Sequence, residues 1–305
     1  MTRKVVIDTD PGIDDAVAIL FALASPAFEV IGITTVAGNI GLTTVTRNAG
    51  RILALAGRPD IPVIAGAAAP LARKGFDTTE IHGDDGLGGV AFPEPDAKAP
   101  LWDGAPRWIA ETLLRHPFGS VDILALGPLT NIARLVDEHP AAAGRIGRVI
   151  AMGGAIDERG NIGPHSEFNL AADPEGADIV FRAGLPLVLV PLDVTRKVRA
   201  TRDYLALLRR SESEPARVSA DLIDAYFQST SGGESRPLHD PCVMLLAERP
   251  DLFGLERYEL SVDLGDGVDA GAVSKDSEGG VLVDVAMRVD AAAALDLLAG
   301  RLAGR

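Results

Sequence analysis

The chain has 305 residues, of which 47% are hydrophobic, and its formal net charge at pH 7 is −14. This length is ample for the buried core of one large α/β domain, and the negative charge argues against binding to a nucleic acid backbone, which requires clustered Lys and Arg. The single cysteine, Cys242, excludes an internal disulfide framework and a zinc site built from several cysteines. The sequence shows neither a signal-peptide pattern nor an apolar run long enough to cross a bilayer. We therefore expect a cytoplasmic protein that acts on a small molecule, with no membrane partner.

The opening stretch places an apolar run at residues 5–7 before four carboxylates, those of Asp8, Asp10, Asp14 and Asp15. The β-branched run predicts a buried strand, and the apolar spacing of residues 14–25 predicts a helix after it. Acidic residues in the first turn of a helix are favourable with its dipole, which is the simplest explanation of Asp14 and Asp15. It does not explain Asp8 and Asp10. Carboxylates this crowded repel one another unless a cation compensates them, so we predict a metal-binding, catalytic edge.

Strand and helix patterns alternate along most of the chain, which predicts right-handed parallel crossovers. Strands are predicted at residues 5–7, 29–36, 61–65, 121–126, 148–152 and 187–191; helices at 14–25, 43–56, 102–115, 174–183 and 201–228, the last with a break near Pro215. The C-terminal part alternates like an antiparallel hairpin, residues 258–264 with 281–289, followed by a helix from about Ala291. We predict one α/β domain over residues 1–305, with a mostly parallel, Rossmann-like sheet, helices on both faces and a C-terminal hairpin.

Residues 66–100 are rich in Gly, Pro and Asp, and residues 81–89 within them are especially rich in Gly. A long loop of this kind in a compact domain is usually functional or mobile, so we interpret it as a lip of the active site. Residues 229–236 form a second loop, rich in Gly and Ser.

Polar or glycine residues follow several of the predicted strands: Asp8 and Asp10, Asn39, the Leu126-Gly127 turn, Gly153-Gly154 and Asp193. The carboxyl ends of parallel strands share one edge of the sheet, so these residues can converge on one pocket. Such an oxygen-rich pocket suits a hard cation, Ca²⁺ or Mg²⁺, and carboxylates from separate loops favour Ca²⁺. We interpret Asn131, in contrast, as an ordinary turn or cap residue.

These motifs together resemble those of the nucleoside hydrolases, the inosine-uridine preferring nucleoside N-ribohydrolase family. The resemblance rests on ordered blocks along essentially the whole chain: residues 8–16 (DTDPGIDDA), 37–39 (AGN), 82–87 (HGDDGL), 127–131 (GPLTN), 152–154 (MGG), 167–169 (EFN), 173–177 (DPEGA), 192–195 (LDVT) and 239–241 (HDP). A single acidic cluster would be weak evidence, whereas so many blocks in one order make coincidence improbable.

The resemblance implies a Ca²⁺-dependent hydrolysis of the N-glycosidic bond of ribonucleosides by a homodimer or homotetramer. It implies that Asp10, Asp15, the backbone carbonyl of Leu126 and Asp240 hold the Ca²⁺, with Asp8 supporting them from behind. Asp10 is the expected general base, and His82 and His239 are candidates for protonating the leaving base. The expected substrate-binding residues are Asp14, Asn39, His82, Met152, Asn161, Glu167, Asn169, Phe227 and His239.

Two departures from the family pattern bear on the base. Arg196 follows Thr195 where family members often have histidine, and residues 228–236 lack the tyrosines that some members place near the base. We therefore expect a pyrimidine-preferring or broad specificity. Tyr226 and Phe227 fit equally well as core residues or as a platform for the base.

Two other interpretations stay open. The strand ending in Asp8 and Asp10 also resembles the nucleophile motif of haloacid-dehalogenase-type phosphatases, which would leave Asp14, Asp15, His239 and Asp240 without a role. The same pocket could instead belong to a non-catalytic, calcium-dependent binder of ribose or nucleosides, which has no need of a positioned base.

Overall fold

The computed structural model describes residues 2–95, 101–229, 233–275 and 278–305. Its strands are β1 (Arg3–Thr9), β2 (Phe28–Thr35), β3 (Val63–Ala65), β4 (Leu101–Asp103), β5 (Val121–Ala125), β6 (Val149–Met152), β7 (Leu187–Val190), β8 (Arg199–Thr201), β9 (Ser235–Pro237), β10 (Phe253–Val262), β11 (Val273–Lys275) and β12 (Val281–Val289). Its helices are α1 (Ile13–Ala24), α2 (Leu42–Leu55), α3 (Thr79–His82), α4 (Ala105–Arg115), α5 (Thr130–Glu138), α6 (Pro140–Ala143), α7 (Phe168–Ala172), α8 (Pro174–Arg182), α9 (Leu192–Thr195), α10 (Arg202–Arg209), α11 (Glu214–Ser229), α12 (Pro241–Glu248) and α13 (Ala291–Leu302), with a 3₁₀ turn at Pro250–Leu252.

The central sheet has the strand order β11-β10-β12-β7-β6-β5-β1-β2-β3-β4. Strands β1 to β7 and β12 are joined through parallel pairs, whereas β10 pairs antiparallel with β12 and β11. Strand β1 lies between β2 and β5, where Ile7 faces Ile33 on one side and Leu124 on the other. A separate antiparallel pair is formed by β8 and β9. The predicted α/β class with a mostly parallel sheet is confirmed.

Two apolar cores cover the two faces of the sheet, as expected for a parallel sheet with helices on both sides. One core joins β1 to α1, α11, α12 and α13, and helix α1 is buried along almost its whole length. The other core packs β5 and β6 against α4, α5 and α8. Because α1 is fixed by this burial, the acidic residues of its first turn are held rigidly beside the end of β1.

The structure corrects one boundary of the sequence-based prediction and gives the positions of two predicted features. The helix predicted over residues 102–115 begins only at Ala105, because residues 101–103 pair in parallel with β3 and Gly104 then adopts a left-handed conformation with φ +78°. The break near Pro215 lies at residues 210–213, and Pro215 itself sits in the first turn of α11, where its missing N–H is not needed. The predicted C-terminal hairpin is present as the antiparallel pair of β10 and β12, and it belongs to the main sheet because β12 also pairs with β7.

The two predicted loops are only partly described. Residues 66–95 are mostly irregular but contain the short helix α3, while residues 96–100 lie outside the described residues. Of the Gly/Ser-rich stretch 229–236, residues 230–232 lie outside them as well. In the described parts of the chain, no helix combines the length and the apolar composition needed to span a membrane.

Candidate active site

The acidic residues predicted at the sheet edge do meet in the structure. Asp10 directly follows β1, Asp14 and Asp15 lie in the first turn of α1, and Asp240 directly precedes α12. Carboxylate oxygens of Asp14, Asp15 and Asp240 lie within 4.8 Å of one another. All four side chains are at least nine-tenths buried, so water screens their mutual repulsion poorly.

Asp10 is enclosed by backbone. Its Oδ2 accepts a hydrogen bond of 2.7 Å from the Asn39 amide, whereas its Oδ1 is buried with no hydrogen-bond partner. Gly38 and Gly127 lie against this carboxylate, and a Cβ atom at either glycine would collide with it. The carboxylate is therefore fixed in place with one oxygen unsatisfied, an arrangement that is costly unless a cation or a water completes it.

Asp15 is held by three donors from three segments of the chain. The Gly12 amide and the Asn39 side-chain amide donate to its Oδ2 at 2.9 and 3.0 Å, and the Thr9 hydroxyl donates to its Oδ1. Asn39 thus touches Asp10 through its backbone and Asp15 through its side chain. This pairing fixes the two carboxylates relative to each other.

The electrostatics of this cluster require positive charge. Burial, followed by the negative charges of Asp15 and Asp14, raises the pKa of Asp10 well above its usual value. Burial and the same neighbours likewise raise the pKa of Asp240, and burial with the charge of Asp15 raises the pKa of Asp14 to about 7. A hard divalent cation with oxygen ligands would offset this repulsion and occupy the free oxygen of Asp10, so the residues present fit a metal ion.

The cleft beside the cluster contains most of the predicted substrate residues. Its lining includes the predicted Asp14, Asn39, His82, Leu126, Met152, Asn161, Glu167, Asn169, His239 and Asp240. It also includes Thr78, Ile81 and Phe168, which were not predicted, and Tyr226, which the sequence left open between core and base platform. The first two of these additions belong to the 66–100 loop. That loop therefore forms one wall of the cleft, at the position expected of an active-site lip.

The carbonyl of Leu126 faces this cleft at the end of β5. Its own amide donates to the Asp8 carbonyl at 2.8 Å, which ties the turn to β1, and its carbonyl accepts from Asn169 Nδ2 at 2.6 Å. Asn169 Nδ2 also donates to the Met152 carbonyl at 3.1 Å. One side-chain amide thus joins the ends of β5 and β6.

Glu167 organises the floor of the cleft. Its Oε2 accepts from the amides of Gly154, Asn169 and Leu170 at 3.0 to 3.3 Å, so it caps helix α7 and holds the end of β6. Burial raises the pKa of Glu167 to about 7 despite these donors.

The two histidines predicted to act on the leaving base both reach the cleft, and both are neutral at pH 7. Burial lowers the pKa of His82 to about 4, and burial with the charges of Arg196 and Arg199 lowers the pKa of His239 to about 3. The Ile13 amide donates to His82 Nδ1 at 3.0 Å, so the proton of neutral His82 must be on Nε2. His239 Nδ1 lies 2.7 Å from the Thr195 hydroxyl.

Phe227 is the one predicted substrate-binding residue that is not among those lining the cleft, whereas Asp8 lies behind the cluster as predicted. Phe227 is buried between the guanidinium groups of Arg202 and Arg236, at 4.1 and 4.7 Å from its ring centre, and the preceding residue, Tyr226, faces the cleft instead. Asp8 is fully buried behind the cluster and accepts from Thr34 and Asn131, which suits support and not nucleophilic attack.

The interpretation of Asn131 as an ordinary cap is wrong. Its side chain makes no cap bond to α5; its Nδ2 donates to Asp8 Oδ1 and the Thr35 carbonyl at 2.8 and 3.0 Å, and its Oδ1 accepts from the Ala67 amide. It therefore ties together the ends of β1 and β2 and the chain beyond β3. The local sequence around Asn131 is typical of a turn and does not predict these three buried hydrogen bonds.

Comparison with known proteins decides the family. The sequence profile of the inosine-uridine preferring nucleoside hydrolases matches residues 5–296. The chain belongs to the nucleoside hydrolase family. It is thus an enzyme of the ribonucleoside N-ribohydrolase type.

Individual relatives of this nucleoside hydrolase agree over most of its length. It is 39% identical to a pyrimidine-specific ribonucleoside hydrolase of Shewanella woodyi, over 86% of this chain and 85% of the relative. A plant nucleoside hydrolase structure superposes with a TM-score of 0.91 at 36% identity, covering 99% of both chains. A purine-preferring ribonucleoside hydrolase from Gardnerella vaginalis gives the same TM-score at 30% identity, over 99% of this chain and 98% of the other.

Proposed function

We propose that this nucleoside hydrolase is Ca²⁺-dependent and releases the base of ribonucleosides, with a pyrimidine-preferring or broad specificity. One observation carries the proposal. The buried Oδ1 of Asp10 has no hydrogen-bond partner, and it lies near the clustered carboxylates of Asp14, Asp15 and Asp240. In this proposal Asp10, Asp15, Asp240 and the carbonyl of Leu126 hold the ion. When bound, the ion would orient water and the ribose hydroxyls and neutralise the cluster.

The reaction breaks the bond between C1′ of the ribose and the base nitrogen, and the oxygen of a water molecule adds to C1′. Asp10 accepts the proton of that water, a role favoured by a pKa raised through burial and neighbouring charge. The transition state resembles an oxocarbenium ion, so the surrounding carboxylates stabilise its positive charge. The leaving base gains one proton, delivered through His82 or His239 and replaced from solvent, and Asp10 later releases the proton it took from the water, so that one water is consumed overall.

His82 and His239 serve the leaving base in this proposal as hydrogen-bond donors. A neutral imidazole whose Nδ1 accepts from a backbone amide presents N–H at Nε2, and His82 is in this state. Donation to the departing nitrogen or carbonyl stabilises the negative charge that develops there. Asp14, Asn39, Met152, Asn161, Glu167 and Asn169 are proposed to bind the ribose end of the substrate. Phe227 does not line the cleft and is not proposed to contact the substrate.

The proposed base preference has support of two kinds. The named relative from Shewanella woodyi is described as pyrimidine-specific, whereas the structural neighbour from Gardnerella vaginalis is described as purine-preferring. Of the aromatic side chains with a described position, Phe168 and Tyr226 line the cleft. These two do not amount to the aromatic sandwich that strong purine selectivity would favour. A cytoplasmic location and a homodimer or homotetramer remain predictions.

The deciding experiment measures free base released from uridine, cytidine, inosine and adenosine, with the metal stripped by a chelator and then with Ca²⁺ or Mg²⁺ restored. We expect release that the chelator abolishes and Ca²⁺ restores, with uridine or cytidine at least as good as the purine nucleosides. No release from any of the four, despite measurable binding, would favour a non-catalytic binder. Phosphate release from uridine monophosphate without base release would favour the phosphatase interpretation.

A further inference from the structure

The loop between β6 and α7 carries Asn161 into the cleft, yet much of what holds this loop comes from another part of the chain. Two side chains that follow β7 hold this loop by hydrogen bonds. Asp193 belongs to α9, and Arg196 is the residue that follows this helix. Neither residue is among those lining the cleft.

The carboxylate of Asp193 accepts hydrogen bonds from backbone amides in the first half of the loop. The amide of Ile156 donates to Asp193 Oδ2 at 2.8 Å, and the amides of Asp157 and Glu158 donate to Oδ1 at 2.8 and 3.2 Å. The carboxylate is buried, so these charge-assisted bonds replace its lost hydration.

Arg196 holds the next residues by their carbonyls. Its two terminal nitrogens donate to the carbonyl oxygens of Arg159 and Gly160 at 2.6 and 2.9 Å, and Nη1 also donates to the Glu158 carboxylate at 3.0 Å. A planar guanidinium can serve two consecutive carbonyls in fixed geometry, which a lysine ammonium on a flexible stem cannot reproduce.

The fixed carbonyls stand directly before Asn161. The Asn161 amide donates to the Ser166 carbonyl at 3.0 Å, and Asn161 Oδ1 accepts from the Phe168 amide at 2.9 Å. With Oδ1 used in this way, Nδ2 is the group that Asn161 can donate to a substrate hydroxyl. Gly160 is packed so closely against Gly163 and Ser166 that it lacks room for a Cβ atom. A shift of the Gly160 carbonyl must therefore move Asn161.

We propose that Arg196 is a positioning residue of this enzyme, which sets the place of Asn161 by clamping the carbonyls of Arg159 and Gly160. The inference rests on the proposed function in one respect, that Asn161 binds the ribose end of the substrate. Because the clamp acts on a binding group and not on the reacting atoms, its loss should appear in substrate binding.

The kinetic test compares Arg196→Gln, Arg196→Lys, Asn161→Ala and the Arg196→Gln/Asn161→Ala double variant with uridine as substrate. We expect each Arg196 variant to raise KM about tenfold, the value of one well-made hydrogen bond, with kcat changed by less than about twofold. In the double variant KM should equal that of Asn161→Ala alone, because the clamp acts through Asn161.

The lysine variant separates the clamp from a simple charge effect. Arg196 also lies close enough to His239 to lower its pKa, so its positive charge could act there. Lysine keeps the positive charge but lacks the two terminal nitrogens that bind the carbonyls of Arg159 and Gly160. Wild-type KM in Arg196→Lys, or losses that add fully in the double variant, would overturn the proposal.

Hydrogen exchange tests the clamp without relying on activity. Amides 159–161 should exchange faster in Arg196→Gln than in the wild type, whereas amides 156–158, which Asp193 still binds, and the rest of the protein should be unchanged. Arg134→Gln is the matched control, since Arg134 pairs with Glu138 within α5. Unchanged exchange in Arg196→Gln would overturn the clamp. If instead the wild type released no base from any ribonucleoside, the proposed function would fail while the exchange result still stood.

Discussion

The backbone amide of Asn39 donates to Asp10 Oδ2 across 2.7 Å, while the other oxygen of the same carboxylate has no partner. One oxygen is therefore committed to holding the side chain, and the other is available for chemistry. A substitution can therefore keep the hydrogen bond to the Asn39 amide and remove the oxygen that is available for proton transfer.

Asp10→Asn is that substitution. Its amide oxygen can still accept from Asn39, but an amide cannot take a proton from water, so kcat should fall by about 10² to 10⁴. Affinity for D-ribose should change little when it is measured at saturating Ca²⁺, a condition needed because Asp10 is also a proposed ligand of the ion. Steady-state kinetics with uridine and competition by D-ribose measure both quantities. Asp137→Asn, on the exposed side of α5, is the control for the same chemical change. Near-normal turnover in Asp10→Asn would remove Asp10 from the role of general base.

His239→Ala should reduce turnover of uridine far more than turnover of p-nitrophenyl riboside. The nitrophenolate leaves without help, whereas the base of uridine needs a hydrogen-bond donor as charge develops on it. The ratio of the two kcat/KM values is the measurement. His139→Ala, at the end of α5, provides the control. Equal losses on both substrates would show that His239 does not assist the leaving base.

The cleft should discriminate strongly against 2′-deoxyuridine. Polar groups that pair with ribose hydroxyls are buried here, and Asn39 and Asn169 are less than one-tenth exposed. A substrate that lacks a hydroxyl leaves such groups unmatched, which costs roughly 10⁴-fold in kcat/KM. The comparison is kcat/KM for uridine and 2′-deoxyuridine at one metal concentration. A ratio below about ten would mean that the 2′-hydroxyl is not recognised.

Glu167→Gln should change how stability depends on pH. The pKa of Glu167 is raised from 4.5 to about 7 by burial, so the folded protein binds this proton more tightly than the unfolded chain. The stabilisation is present below pH 4.5 and is lost as pH rises through 7, by at most about 3 kcal/mol.

Glutamine cannot titrate, so the free energy of unfolding of Glu167→Gln should decline less over this range. Urea denaturation across the range, in the presence of a chelator, measures the difference. The exposed Glu259→Gln is the matched control. Parallel pH profiles for the wild type and Glu167→Gln would contradict the prediction.

The fold followed from the sequence wherever local pattern and tertiary packing agree. The apolar run before Asp8 forms β1 because it is buried between β2 and β5, as its composition indicates. Residues 101–103 were missed because their strand exists only through pairing with β3, a contact that no local pattern encodes.

The site could be predicted to the extent that residues cluster at strand ends. The carboxylates of Asp14, Asp15 and Asp240 converge, with Asp10 close enough to interact with their charges, because parallel strands and the starts of helices meet at one sheet edge. The sequence could not show whether Tyr226 or Phe227 faces the cleft. Both residues are aromatic and adjacent in one helix, so tertiary packing decides which side chain points to the substrate. The stacking of Phe227 between two arginines gave that direction here.

The pairing of β12 with β7 has a consequence for synthesis of the chain. β7 is an apolar strand, Leu187–Val190, and among the described residues its edge away from β6 is paired with β12 near Asp284, far along the chain from β7. A nascent or truncated chain that stops before β12 therefore exposes an open, apolar sheet edge that can pair with another chain. The central sheet therefore cannot be completed before residues 281–289 have left the ribosome.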